Sequence, residues 1–208
     1  MIKGKRLLAA RGLAGILGVL VLASCASSNT VIGTWRDKDY HKQLSKVLVI
    51  GLTKKRGLRR SFEDTLVRKL REKGVNATPS IGIIHLGKTL DRETVKADIT
   101  AAIKKEQFNN VLVTRLIKVD QHTTYIPPGD HPKYSFYGTI MTAYSSVYTP
   151  GYLVNSTVVS LETDLYDTVS EKMVWSMTSQ SFNPKTAQDI IDTLSDYIVK
   201  DLAHNHFM

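Results

Sequence analysis

Residues 46–52 read Lys-Val-Leu-Val-Ile-Gly-Leu, an apolar run without alternation. A run with no polar face predicts a strand covered on both sides, as in a parallel sheet. The pattern then takes a helical period. Phe62, Leu66, Val67 and Leu70 fall on one stripe, Ser61 and Asp64 have the spacing of a capping box, and Gly74 ends the segment. Residues 75–78 predict a short strand closed by Pro79. Asp91 is placed to cap a second helix with the stripe Val95, Ile99, Ala102 and Ile103. Residues 110–118 repeat the doubly buried strand. Strand, helix, strand, helix, strand predicts right-handed crossovers.

Further along, the period drops to two. Val159, Leu161 and Leu165 alternate with polar partners, as do Met173, Trp175 and Met177. The two runs flank residues 167–172 and predict an antiparallel hairpin with one buried face. Asn183 followed by Pro184 predicts the start of a last helix, whose stripe is Ala187, Ile190, Ile191, Leu194, Ile198 and Leu202. The expected fold is one α/β domain over residues 31–208. Its mixed sheet has a parallel βαβαβ start, a C-terminal antiparallel hairpin and a packing helix.

Between residues 120 and 156 the periodicity weakens. This insert holds six of the nine tyrosines. A long segment without a clear pattern inside a domain is often functional. Tyrosine gives rigid contact area with a polar tip, so Tyr137, Tyr144, Tyr148 and Tyr152 are candidate interface residues. Tyr144, Tyr148 and Tyr152 share parity with Ile140, as one face of a strand would. The bland alternative is that these rings cover the sheet beneath them.

Composition narrows the class. The 208 residues are 42% hydrophobic and 23% charged, which excludes wholesale disorder, a collagen-like repeat and a multi-span membrane protein. With one cysteine there is no intrachain disulfide and no Cys-based zinc cluster. The chain opens with a basic segment (Lys3, Lys5, Arg6, Arg11) and a ten-residue apolar run at 13–22. That run is too short to span a bilayer, which needs about 20 residues. It reads as a secretory signal.

The signal ends in Leu22-Ala23-Ser24-Cys25, which resembles the bacterial lipobox. The resemblance implies cleavage before Cys25, acyl chains on its thiol and new amine, and a membrane as partner. Ala26 in place of Asp implies the outer membrane, facing the periplasm, in a Gram-negative host. Residues 25–30 then form a small polar tether. Further stretches resemble a family of bacterial lipoproteins that carry a domain of unknown function. They are Gly33-Thr34-Trp35, residues 46–52, Phe62-Glu63-Asp64, Leu112-Val113-Thr114-Arg115-Leu116, Tyr148-Thr149-Pro150-Gly151-Tyr152, residues 161–167 and Val174-Trp175-Ser176. The architecture is loosely similar to curli-secretion and transport-auxiliary lipoproteins. The resemblance implies an exported, lipid-anchored α/β domain and carries over no catalytic residue.

Formal charge is +9; residues 25–208 hold 24 Lys and Arg against 19 Asp and Glu, a net +5. Residues 36–73 alone carry 13 basic and 5 acidic residues. Lys54, Lys55, Arg56, Arg59 and Arg60 follow the first buried strand, where α/β sheets favour ligands. They are candidates for an anionic lipid, lipopolysaccharide or an acidic partner, against the alternative of a solvated loop. Gly51 to Gly57 lacks the Gly-Lys-Ser/Thr ending of a P-loop. Nucleic acid is not expected as a partner, and neither a cofactor nor a metal is expected. Asp120, His122, Asp130 and His131 match no metal spacing, and no serine sits in a Gly-x-Ser-x-Gly elbow. The leading expectation is a non-enzymatic, lipid-anchored envelope module for binding or assembly. The first alternative is an accessory, oligomeric subunit of a transport or secretion complex. The second is a hydrolase or metal enzyme using the insert.

Overall fold

In the computed structural model, which describes residues 28–84, 91–126, 136–148 and 151–208, the first elements are β1 (Ser28–Arg36), β2 (Lys46–Leu52), α1 (Arg56–Glu72) and β3 (Asn76–Pro79). A 3-10 turn (Ser80–Gly82), α2 (Arg92–Glu106) and β4 (Asn110–Ile126) follow. The chain then continues as α3 (Phe136–Tyr148), β5 (Tyr152–Asp167), β6 (Met173–Phe182) and α4 (Ala187–His204). The strands form one sheet in the order β1-β6-β5-β4-β2-β3. β2 pairs in parallel with β3 and β4, whereas β5 runs antiparallel to β4 and β6, and β1 antiparallel to β6. This is the expected mixed α/β domain, with the parallel start, the C-terminal hairpin and the packing helix.

The doubly apolar run of β2 is explained by two cores. Val47 and Val49 enter a cluster with Phe62, Leu66 and Leu70 of α1 and Leu194, Ile198 and Leu202 of α4. Leu48 and Ile50 enter the opposite cluster with Ala102 of α2, Phe108 and Val111. β5 and β6 are covered only on the α1/α4 side, where Leu165, Trp175 and Met177 are buried, so they alternate. Trp175 Nε1 donates to Asp201 at 3.0 Å, and the Tyr197 hydroxyl donates to the Asn29 carbonyl at 2.8 Å. These bonds tie α4 to β6 and to β1.

Two helix starts differ from expectation. Asp91 caps α2 through the Thr94 amide, as expected. α1, however, begins at Arg56, ahead of the Ser61/Asp64 pair, and Ser61 Oγ donates to Gln188 instead. α4 begins at Ala187 behind a capping box of Thr186 and Asp189. Asn183, expected as its cap, has φ of 45° and accepts from the Thr157 amide. Strand β1 begins at Ser28, so the last residues of the segment read as tether are strand.

The insert is the largest departure. β4 and β5 stay paired from Asn110↔Asp167 out to Ile126↔Tyr152. β2 leaves β4 at Leu52↔Arg115, and β6 leaves β5 at Val158↔Phe182. Beyond that row, residues 121–126 and 152–157 pair with each other, and Thr157 at the base is also bonded to Asn183. They form a two-stranded arm of about 20 Å at ~3.3 Å per residue. α3 follows in the segment joining the two arm strands. Ile140, Tyr144 and Tyr148 therefore sit on a helix rather than on the predicted strand face. Their spacing of four satisfies both a period of two and a period of 3.6.

Candidate functional site

The five basic candidates do not form one surface. Lys54, Lys55, Arg56 and Arg60 are exposed, but Arg59 is 5% exposed and turned into the fold. Its Nε donates to Glu63 Oε1 at 2.8 Å, and a terminal nitrogen reaches Ser80 Oγ at 2.6 Å and the Ile84 carbonyl at 3.1 Å. Glu63, with no exposure, also accepts from the Gly51 and Ile81 amides and from Ser80 Oγ. A buried pair with every partner satisfied fixes geometry. This one locks the start of α1 to the end of β2 and to the 3-10 turn. The packing is tight at Gly51, where a Cβ would sit 3.0 Å from the Phe62 ring and the ring would have to shift.

Between α1 and α4, at the C-terminal end of β2, lies a groove of about 390 Å³. Leu52, Leu58 and Phe62 form one wall, Ile190 and Leu194 the other, and Leu116, Val119, Val159 and Leu161 the floor. Among the described residues, Lys55 and Arg115 are its charged lining. Such a surface can hold an apolar group. The floor continues into the arm, whose return is set by Gly151. A Cβ there would collide with the Ile126 carbonyl and the Tyr125 ring. The Gly151 amide donates to the Tyr125 hydroxyl at 3.2 Å.

On α3, Phe136, Tyr137 and Val147 are 73–77% exposed, and Ile140, Met141 and Tyr144 are also exposed. Tyr152, at the root of the returning strand, is exposed as well. Tyr148 closes α3, and its side chain lies outside the described residues. Neither apolar core includes a described side chain of α3. Of the expected tyrosines, Tyr137, Tyr144 and Tyr152 are exposed, and on α3 so are Phe136, Ile140, Met141 and Val147, which the reading did not include as candidates. Their spacing by three and four was the available signal.

Asp120 is ion-paired with Lys118 at 2.8 Å just below the arm, and His122 is exposed on the same strand. Asp130 and His131 lie outside the described residues, as do Cys25, Ala26, His85 and Tyr134. Among the described residues no three His, Cys, Asp or Glu side chains stand close enough to hold a metal. Asp167 is a second buried carboxylate, in the β5–β6 turn. Burial, the largest single influence, pushes it up. The Ser170 amide and hydroxyl and the Lys42 ammonium together outweigh that and hold it at about 2. Oδ2, the oxygen that faces Lys42, also accepts from the Tyr40 hydroxyl at 3.3 Å. This cluster closes a turn at the far end of the sheet from the arm.

No family model matches the chain, and no curated protein matches it. Among solved structures it is similar to the PelC dodecamer from Paraburkholderia phytofirmans, at 13% identity and a TM-score of 0.43, over 85% of this chain and 96% of that one. It is also similar to lipoprotein GNA1162 from Neisseria meningitidis, at 16% identity and a TM-score of 0.40, over 77% of this chain and 99% of that one.

Proposed function

We propose that this chain is a lipid-anchored, non-enzymatic module of the bacterial cell envelope that binds through the arm carrying α3. The observation that carries the reading is the arm itself. An isolated two-stranded ribbon is marginal in water. This one presents exposed Phe136, Tyr137 and Val147 that neither core uses. An apolar projection of this kind marks a contact surface.

The lipobox around Cys25 supplies the anchor, and Ala26 directs it to the outer membrane with the domain in the periplasm. A binding role rather than a catalytic one is supported by the use made of the buried charges. Arg59, Glu63 and Asp167 hold secondary structure together. The groove beside the arm is apolar, with Lys55 at its rim and Lys54, Arg56 and Arg60 nearby, a setting for a partner with an acidic edge.

The test is envelope fractionation with chemical cross-linking. Cys25→Ala accumulates with its leader uncleaved, because the acylated thiol is what the lipoprotein peptidase recognises. Shortening the arm by joining Asp120 to Val158 leaves the mature protein anchored and removes the cross-links that the parent forms. Unchanged processing of Cys25→Ala, or identical cross-links with the shortened arm, refutes the reading. A ladder of the chain's own multiples would make it an oligomeric subunit of a transport or secretion assembly.

A further inference from the structure

We propose that α3 lies in the same membrane leaflet as the acyl chains of Cys25, so that the domain is held to the bilayer at two points. The inference rests on Cys25 being the lipid carrier and names the bilayer as what the arm binds.

The first observation is the shape of α3. At roughly 100° per residue, Phe136, Val147, Ile140, Tyr144, Tyr137 and Met141 fall within an arc of about 140°. The opposite side carries Gly138 and Thr139. The large side chains on the arc are exposed. Residues 134–161 contain no Asp, Glu, Lys or Arg at all. A charged side chain is what makes entry into a bilayer costly, and none is present here. A stripe of this kind suits the level of the headgroups, where phenylalanine and the aliphatic side chains enter the acyl region and each tyrosine keeps its hydroxyl in the wet headgroup layer.

The second observation is where the chain enters the sheet. Ser28 pairs with Phe182, which pairs with Val158, which pairs with Asp120. This is the row from which the arm departs, and the Tyr197 bond to Asn29 holds β1 there. Cys25 is three residues before Ser28. At no more than ~3.6 Å per residue it lies within roughly 11 Å of that row. Anchor and arm thus leave the same end of the sheet. The arm overhangs by about 20 Å and lies about three strand spacings from β1, so one plane meets both when the strands lean roughly 30–55° from the membrane normal, the lower value applying when the residues between Cys25 and Ser28 are fully extended toward the bilayer.

The same register separates the basic loop from the bilayer. Leu52, where the loop begins, shares a row with Arg115, Glu162, Thr178 and Gly33. That row is five residues below Ser28, or roughly 16 Å, beyond the Debye length of about 8 Å at physiological salt. Apolar insertion, rather than charge, is the second attachment.

The test uses the acylated full mature chain in vesicles of phosphatidylethanolamine and phosphatidylglycerol. Cys25 is the only cysteine and its thiol carries lipid, so Tyr137→Cys offers one reactive thiol for a fluorophore. Val147→Cys repeats the measurement on a second site. Val169→Cys, 82% exposed in the β5–β6 turn, reports from the opposite end. Lipids with a quencher on the acyl chain should quench the label at 137 and 147 at least threefold more than at 169. Replacing Lys54, Lys55, Arg56 and Arg60 with Gln should leave that quenching unchanged. Equal, weak quenching at all three sites in vesicle-bound protein overturns the inference and leaves the anchor standing. Labels at 137 and 147 shielded from aqueous iodide but not quenched by lipid mean a protein occupant, which also overturns it. Failure of the acylated chain to stay with vesicles overturns both readings.

Discussion

Replacing Arg59 separates the fold's charges from the surface ones. Arg59→Met removes the counter-charge of Glu63, which has no exposure and keeps only the Gly51 and Ile81 amides and the Ser80 hydroxyl. Breaking a buried pair by removing one partner costs about 3–5 kcal/mol. For a domain of this size, each kcal/mol lowers the melting temperature by roughly 2–4 °C, so the expected loss is roughly 6–20 °C. The double variant Arg59→Met with Glu63→Leu should recover most of it, because an apolar replacement of a whole buried pair is often close to neutral. The comparison protein carries Lys54, Lys55, Arg56 and Arg60 all changed to Gln. Exposed charges of this kind each contribute within about 0.5 kcal/mol, so its melt should stay within a few degrees of the parent. Circular dichroism melts of the four proteins decide the matter. Equal melting temperatures for Arg59→Met and the quadruple variant would refute the assignment of Arg59 to the core.

Asp167 gives a pH dependence with a defined sign. Its carboxyl is held at about 2 in the fold, against about 3.9 in an unfolded chain. The stabilisation is present above pH ~4 and is lost as pH falls toward 2, a loss of roughly 2–3 kcal/mol. Denaturant titrations between pH 5 and 2 should show a steeper decline for the parent than for Asp167→Asn, and parallel declines would contradict the cluster. Gly151→Ala should disturb the arm alone, since its Cβ would meet Ile126 and Tyr125. Amide exchange should quicken at residues 121–126 and 152–157 and stay unchanged in β2, and quickening throughout the sheet would count against an independent arm.

The parts of the fold that could be read from the residues are those whose burial writes a period. β2 spans the expected residues because both of its faces are covered, and α4 and the β5–β6 hairpin show one covered face each. β1 gave no such signal. Its Ile32 and Trp35 are exposed, and it is held by edge pairing with β6. The helix starts were misplaced where a polar side chain is used across the fold, as Ser61 is by Gln188 and Asn183 by Thr157. Arg59 looked like its neighbours because nothing in the local sequence says that Ser80 and Ile84 close over it. The arm was hidden for a related reason. With no core against it, β4 past residue 117 has no buried face to impose alternation.

The central claim is that the arm is a contact device and not part of the core, and a thermal melt tests it most directly. Residues 121–157 are replaced by a two-residue Asn-Gly turn between Asp120 and Val158, which are paired across the ribbon. The account predicts the same far-ultraviolet spectrum per residue of retained sheet and helix. It also predicts one cooperative transition within about 5 °C of the parent, because neither core loses any of the described residues. A fall of more than about 10 °C, or a broad transition without a native baseline, would place the arm in the core and contradict the account.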